Sequence, residues 1–159
     1  MSITLRAARP ADVPTILRFI QGLAEYEKLA HLCVATEAGL TETLFGPRPY
    51  AEVILAFWND APAGLALFFH NYSTFLAKPG IYLEDLFVEP SFRGKGLGKA
   101  LLKELARVAV ERNCGRLEWS VLDWNEPSIQ FYKSLGAVAM DEWTGYRVTG
   151  DALASLAAS

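Results

Sequence analysis

A strand-to-helix junction with glycines at alternate positions constrains this chain more than any other feature. Residues 86–106, LFVEPSFRGKGLGKALLKELA, run from an apolar stretch through Arg93-Gly94-Lys95-Gly96-Leu97-Gly98 into an amphipathic segment. The first N–H groups of a helix lack intrahelical partners and lie at the positive end of its dipole, so a loop of this kind makes an anion cradle. Glycine lets the backbone approach a pyrophosphate, and Arg93, Lys95 and Lys99 add positive charge around it. An ordinary tight turn uses glycine too, and the flanks favour the cradle. Two common phosphate loops are excluded by inspection. A Walker A loop fails because Arg93 stands where its first glycine belongs and Ala100 follows Lys99; a dinucleotide fingerprint fails because Lys99 occupies its third glycine.

The surrounding periodicities predict an α+β fold in the order βααβββαβαβ, a mixed central sheet flanked by helices, with residues 1–159 forming one domain. A strand is expected over 3–7, then a helix over 12–28 with Asp12 as its cap and Pro14 in its first turn. A shorter helix follows over 36–45, capped by Thr36 and stopped by Gly46-Pro47. Residues 52–58 and 63–72 read as a hairpin about Asn59-Asp60-Ala61-Pro62, and 81–88 as the next strand. The helix after the glycine loop should span 97–112, a strand 116–122, and a short helix should run from an Asn125 cap to Gly136. Two short strands, 137–140 and 145–149, and a terminal helical turn complete the expectation.

With the loop placed after a strand ending in LFVEP, the pattern R-x-x-G-x-G resembles motif A of the GCN5-related N-acetyltransferases. The segments YLEDLFVEPSFRGKGLG, WNEPSIQFYKSLGA and LAEYEKL extend the resemblance to the diamine branch, the spermidine/spermine and thialysine acetyltransferases, over nearly the whole chain. The resemblance implies acetyl-CoA as co-substrate and no metal. Its cofactor residues would be the backbone of Leu86, Phe87 and Val88, the loop Arg93, Gly94, Lys95, Gly96, Leu97, Gly98 and Lys99, and Asn125, Ser128 and Tyr132. A homodimer is implied in the same way.

Acetyl transfer to an amine needs a neutral nucleophile, a stabilised oxyanion and a proton for the leaving thiolate. Tyr132 matches the general acid of the family, and a phenol with a reference pKa near 10 suits a thiolate; a tyrosine packed in the core between Ile129 and Leu135 would occupy the same helical face. A primary amine of pKa about 10.4 is only about 0.04% neutral at pH 7, so its proton must be taken up. Glu84 matches a substrate-contacting glutamate and is the candidate base, directly or through water. Strand alternation sends Asp85 to the opposite face unless a bulge intervenes. Tyr26 and Glu27 after the first helix, Glu84 and Asp85, and Glu118, Trp119 and Ser120 match the lining of the amine pocket, where carboxylates and rings suit a cation. The chain departs from the branch at Thr144, which stands where an acidic residue precedes the Gly-aromatic pair, here Gly145-Tyr146; a distal ammonium would be held less well, leaving a monoamine or small amino acid open.

Other classes fit less well. A net charge of −3 argues against a phosphate-tracking nucleic-acid binder. No leader or membrane-spanning run is apparent, which predicts a cytoplasmic protein without a membrane partner. Cys33 and Cys114 are 81 positions apart, and neither they nor His31 and His70 form a metal or catalytic spacing. Two readings remain beside small-amine transfer: acetylation of a protein lysine or N-terminus, and a non-catalytic acyl-CoA sensor.

Overall fold

Asn59 and Asp60 take positive φ (47° and 69°), the conformation of a two-residue hairpin turn whose twist suits antiparallel strands. They join β2 (Glu52–Trp58) to β3 (Ala61–Ser73), so the turn is tighter than the four residues expected and Pro62 lies within β3, opposite Phe57 where the register shifts. The computed structural model describes residues 2–159, which divide into two compact units, one running to Leu122 and the other Asp123–Ser159.

The first unit is built on a mixed sheet in the order β1-β2-β3-β4-β5. β1 (Ile3–Ala7) pairs antiparallel with β2, β3 pairs antiparallel with β4 (Lys78–Val88), and β5 (Leu117–Trp119) runs parallel to β4. α1 (Val13–Tyr26) and α2 (Glu37–Phe45) cover one face, where Ile16, Phe19 and Leu44 pack with Val53, Leu55, Leu65, Leu67 and Phe87. α3 (Leu97–Glu111) covers the other, with Leu97, Leu101 and Leu105 fully buried. Its stripe at helical spacing is what drives that burial.

Local chemistry sets the element ends. Thr36 Oγ1 accepts from the Gly39 amide at 3.0 Å and caps α2 as expected. Asp12 does not cap α1; its carboxylate accepts from the Arg9 amide at 2.7 Å and from Arg6 at 2.7 Å, tying β1 to the helix entry instead. Asn113, in the left-handed region, closes α3.

The second unit holds α4 (Glu126–Ser134) and α5 (Gly150–Ala158). Asn125 precedes α4 without a side-chain capping bond, contrary to the expected cap, although its carbonyl accepts from the Ile129 amide at 3.1 Å. Gly136 takes φ 88° after the helix, as a C-terminal stop should. The strands expected over 137–140 and 145–149 are not formed: these residues carry neither helix nor strand, because a short apolar alternation becomes a strand only where another strand pairs with it.

No helix among the described residues is long and apolar enough to cross a membrane, and no group of three His, Cys, Asp or Glu side chains there could hold a metal ion.

Candidate active site

The site begins with an irregularity in β4. Leu67 of β3 lies opposite Asp85, and the next residue, Phe68, lies opposite Leu83, so Glu84 is the extra residue of a β-bulge. Leu67 and Phe87 belong to the core under α1, and Asp85, level with Leu67 and two residues before Phe87, therefore faces α1. Simple alternation would have put Glu84 on the opposite face. The bulge removes that separation, and Glu84 lies close enough to both Glu27 and Asp85 to raise the pKa of each. The separation onto opposite faces expected of the two carboxylates gives way to a single group of three.

α1 is held close to β4 by a small residue and an aromatic pair. A Cβ on Gly22 would lie 2.7 Å from Cζ of Phe87, so only glycine allows this approach, and the rings of Phe19 and Phe87 stand 5.8 Å apart. An isolated glycine inside a helical pattern is the sequence signal of such a close approach. Arg93 completes the bracket. Its Nε donates to the Val88 carbonyl at 3.0 Å while its guanidinium lies 4.9 Å from the Tyr26 ring centre and 5.8 Å from that of Phe87. The side chain expected at the phosphate loop thus stacks on the end of α1 and fixes Tyr26 and Glu27 over β4.

Burial pushes the Asp85 carboxyl up to about 6, and the neighbouring negative charges of Glu84 and then Glu27 push in the same direction. Burial also raises Glu27, with Glu84 adding to it. The contrast with Asp12 is direct: hydrogen bonding from Arg6 holds that carboxyl below the ordinary range.

Beside the bulge the sheet forks. β5 pairs with β4 only from Ile81 to Leu83, and among the described residues no strand joins that edge of β4 from Glu84 to Val88. The main chain of Leu86, Phe87 and Val88 is consequently available for an extended ligand to pair with, while the Phe87 side chain is buried in the core. The glycine loop follows. Gly94 and Gly96 adopt φ 78° and 87°, which side chains resist, and Gly96 is the N-cap of α3 with no side-chain bond closing the helix end. Gly98 is different: its backbone is ordinary and a Cβ would only touch Val88 at 3.9 Å. Lys95 Nζ sits 5.1 Å from the Trp58 ring centre, and Lys99 lies in the first turn of α3.

The residues expected from β5 form a separate set of contacts. Glu118 accepts from Asn71 Nδ2 at 3.2 Å, and Ser120 Oγ lies 2.8 Å from the Tyr82 hydroxyl. Trp119 stands between them in sequence and is half-buried. Asn71 and Tyr82 were not anticipated; both are polar residues on strands read only for their apolar periodicity. In the second unit, Asn125, Ser128 and Tyr132 follow helical spacing on one side of α4, with Asn125 buried and the Tyr132 ring 5.7 Å from that of Phe131.

A forked β4 edge followed by a glycine-capped helix is a ready site for a long anionic thioester, and the comparisons with known proteins agree. Residues 20–137 match the Acetyltransferase (GNAT) family. The chain belongs to that family. It is an N-acetyltransferase of the GNAT type, an acyltransferase whose family uses acetyl-CoA as co-substrate. It is 37% identical to the L-ornithine N5-acetyltransferase of Arabidopsis thaliana, covering 96% of this chain and 86% of that protein. It is 36% identical to the thialysine N-epsilon-acetyltransferase of Sus scrofa over 98% of each. Among solved structures, an integron cassette protein from the mobile metagenome of V. cholerae superposes with a TM-score of 0.84 at 31% identity, covering 100% of this chain and 99% of that one.

Proposed function

We propose that this GNAT enzyme transfers acetyl directly from acetyl-CoA to the primary amine of a small cationic molecule, in the class of ornithine, thialysine or a polyamine. The observation that carries the reading is the carboxylate trio Glu27, Glu84 and Asp85 beside the β4 fork, because it puts unneutralised negative charge where an ammonium must shed a proton. Bound acetyl-CoA supplies the activated thioester. The chain's own groups do the rest: the Leu86–Val88 main chain pairs with the pantetheine arm and orients the carbonyl, and the Gly94–Lys99 loop with the α3 N-terminus receives the pyrophosphate. Asn125 and Ser128 serve the cofactor side, and Tyr132 donates a proton to the departing thiolate. Tyr26, Glu118, Trp119 and Ser120 shape the amine pocket. Residues 1–159 work as one catalytic domain, in a cytoplasmic homodimer, as the resemblance to the diamine branch implies.

The test is release of free CoA, read with a thiol reagent, over ornithine, thialysine, lysine, putrescine, spermidine, spermine and a lysine peptide. Turnover with at least one small amine and none with the peptide is expected; turnover of the peptide alone would overturn the proposal. Tyr132→Phe should lower turnover about 10²-fold while calorimetry finds acetyl-CoA affinity unchanged. Full activity in that variant would remove Tyr132 from its role.

A further inference from the structure

Glu84 was expected to be the base because of its sequence position. The bulge offers a different division of labour. Glu84 is the residue pushed out of the strand ladder, and its side chain is exposed. Asp85 keeps its register opposite Leu67, faces α1, is half-buried and lies within electrostatic reach of Glu27 at the end of that helix. It also lies within the free β4 edge, next to Leu86.

Resting on the transferase reading, we infer that Asp85 takes the proton from the acceptor ammonium, while Glu27 and Glu84 hold that ammonium beside it. The balance is simple. The ammonium N–H bond breaks and its proton goes to an Asp85 carboxylate oxygen, leaving the nitrogen pair free. That pair forms the C–N bond to the acetyl carbonyl carbon as the C–S bond breaks. The second amine proton matches the one the thiolate receives, and Asp85 returns its proton to water.

The groups around Asp85 explain why it is suited to the task. Glu27, at the C-terminal end of α1, acts on it from that helix, with Tyr26 and Lys28 on either side of Glu27 in sequence and Arg93 stacked on Tyr26. Glu84 is its neighbour on β4, and Leu67 opposite it on β3 is apolar. Glu118 of β5 is tied to Asn71, and α3 lies against the other face of the sheet. Burial and the two anions act together to raise it. A carboxylate raised by about two units accepts an amine proton about 10²-fold more readily than an ordinary aspartate.

The experiment is the pH dependence of kcat/KM from pH 5 to 9, using the best amine of the panel, for wild type, Glu27→Gln, Glu84→Gln and Asp85→Asn. Acetyl-CoA affinity is measured alongside by calorimetry. Wild type should lose activity below about pH 6. Glu27→Gln and Glu84→Gln should each move that limb to lower pH and raise KM, since each removes a charge that raises Asp85. Asp85→Asn should lower kcat about 10²-fold or more, remove the limb, and keep its acetyl-CoA affinity. Two results would overturn the assignment: Asp85→Asn within threefold of wild type, or loss of the limb in Glu84→Gln with the limb retained in Asp85→Asn. Wild type that releases no CoA with any amine would instead overturn the transferase reading on which this one stands.

Discussion

Glu52, at the start of β2, and Asp85, within β4, are carboxylates on one sheet with opposite surroundings. Glu52 accepts two bonds from Arg112, at 2.7 and 2.9 Å, and the same guanidinium reaches His70 Nε2 at 2.9 Å while His70 Nδ1 meets the Gly80 carbonyl at 2.9 Å. The Arg112 hydrogen bonds hold the Glu52 carboxyl below its ordinary range. Around Asp85 burial first, then Glu84, then Glu27 disfavour charge. A fold that pairs the acid on the α3 face of the sheet and crowds acids together on the α1 face has kept the second face for something other than its own stability.

Asp85→Asn is the strongest way to break that contrast. A carboxyl raised in the fold above its unfolded value costs stability at neutral pH, and the cost is relieved as pH falls through about 6 toward the ordinary aspartate range. The amide variant should therefore be the more stable protein at pH 8, by about 1–3 kcal/mol, with the advantage vanishing near pH 4. Thermal melts across that range check it, and a variant no more stable than wild type at pH 8 would count against a strained carboxylate.

Gly22→Ala comes next, because its Cβ would press on the Phe87 ring at 2.7 Å. Displacing α1 should cost about 1–3 kcal/mol and raise KM for the amine, since Glu27 moves with the helix end. Unchanged stability and KM would show that α1 is not held by that contact.

On the loop, Gly96→Ala forces a side chain to φ 87° and should cost about 1–2 kcal/mol. Gly98→Ala fits beside Val88 and should leave stability within about 0.5 kcal/mol. Both should weaken acetyl-CoA binding in calorimetry. If Gly98→Ala binds as wild type does, the backbone there does not approach the cofactor.

The smallest effect belongs to the neutralised pair. Arg112→Ala should cost about 0.5–1 kcal/mol and leave turnover unchanged, because the Arg112–Glu52 pair is well exposed to solvent. Glu52 contributes above its unfolded pKa, and that contribution is lost as pH falls through its lower folded value, so the penalty should shrink in acid. Denaturant titrations at pH 7 and pH 3.5 would show it.

The order of elements as far as α4 was legible in the sequence because strong periodicities and local chemistry govern them. Thr36 capping α2, the Asn59-Asp60 turn and the α3 stripe are each decided within a few residues. The bulge at Glu84 was not legible, since it depends on how β4 registers with β3, which no local pattern of YLEDLFV records. The same holds for the stacking of Arg93 on Tyr26, a contact across the fold that the neighbours of Arg93 in sequence do not record. Residues 137–149 show the converse: local alternation was present, but a strand needs a partner as well as a pattern.

The most direct measurement is a carbon-13 NMR titration of the side-chain carboxyls in the free enzyme, following Asp85 and Glu52 together from pH 3 to 8. The account predicts a midpoint near 6 for Asp85, moving down in Glu27→Gln, and a midpoint below the ordinary glutamate value for Glu52. An Asp85 midpoint at or below about 4, the range of an unperturbed aspartate, would contradict it.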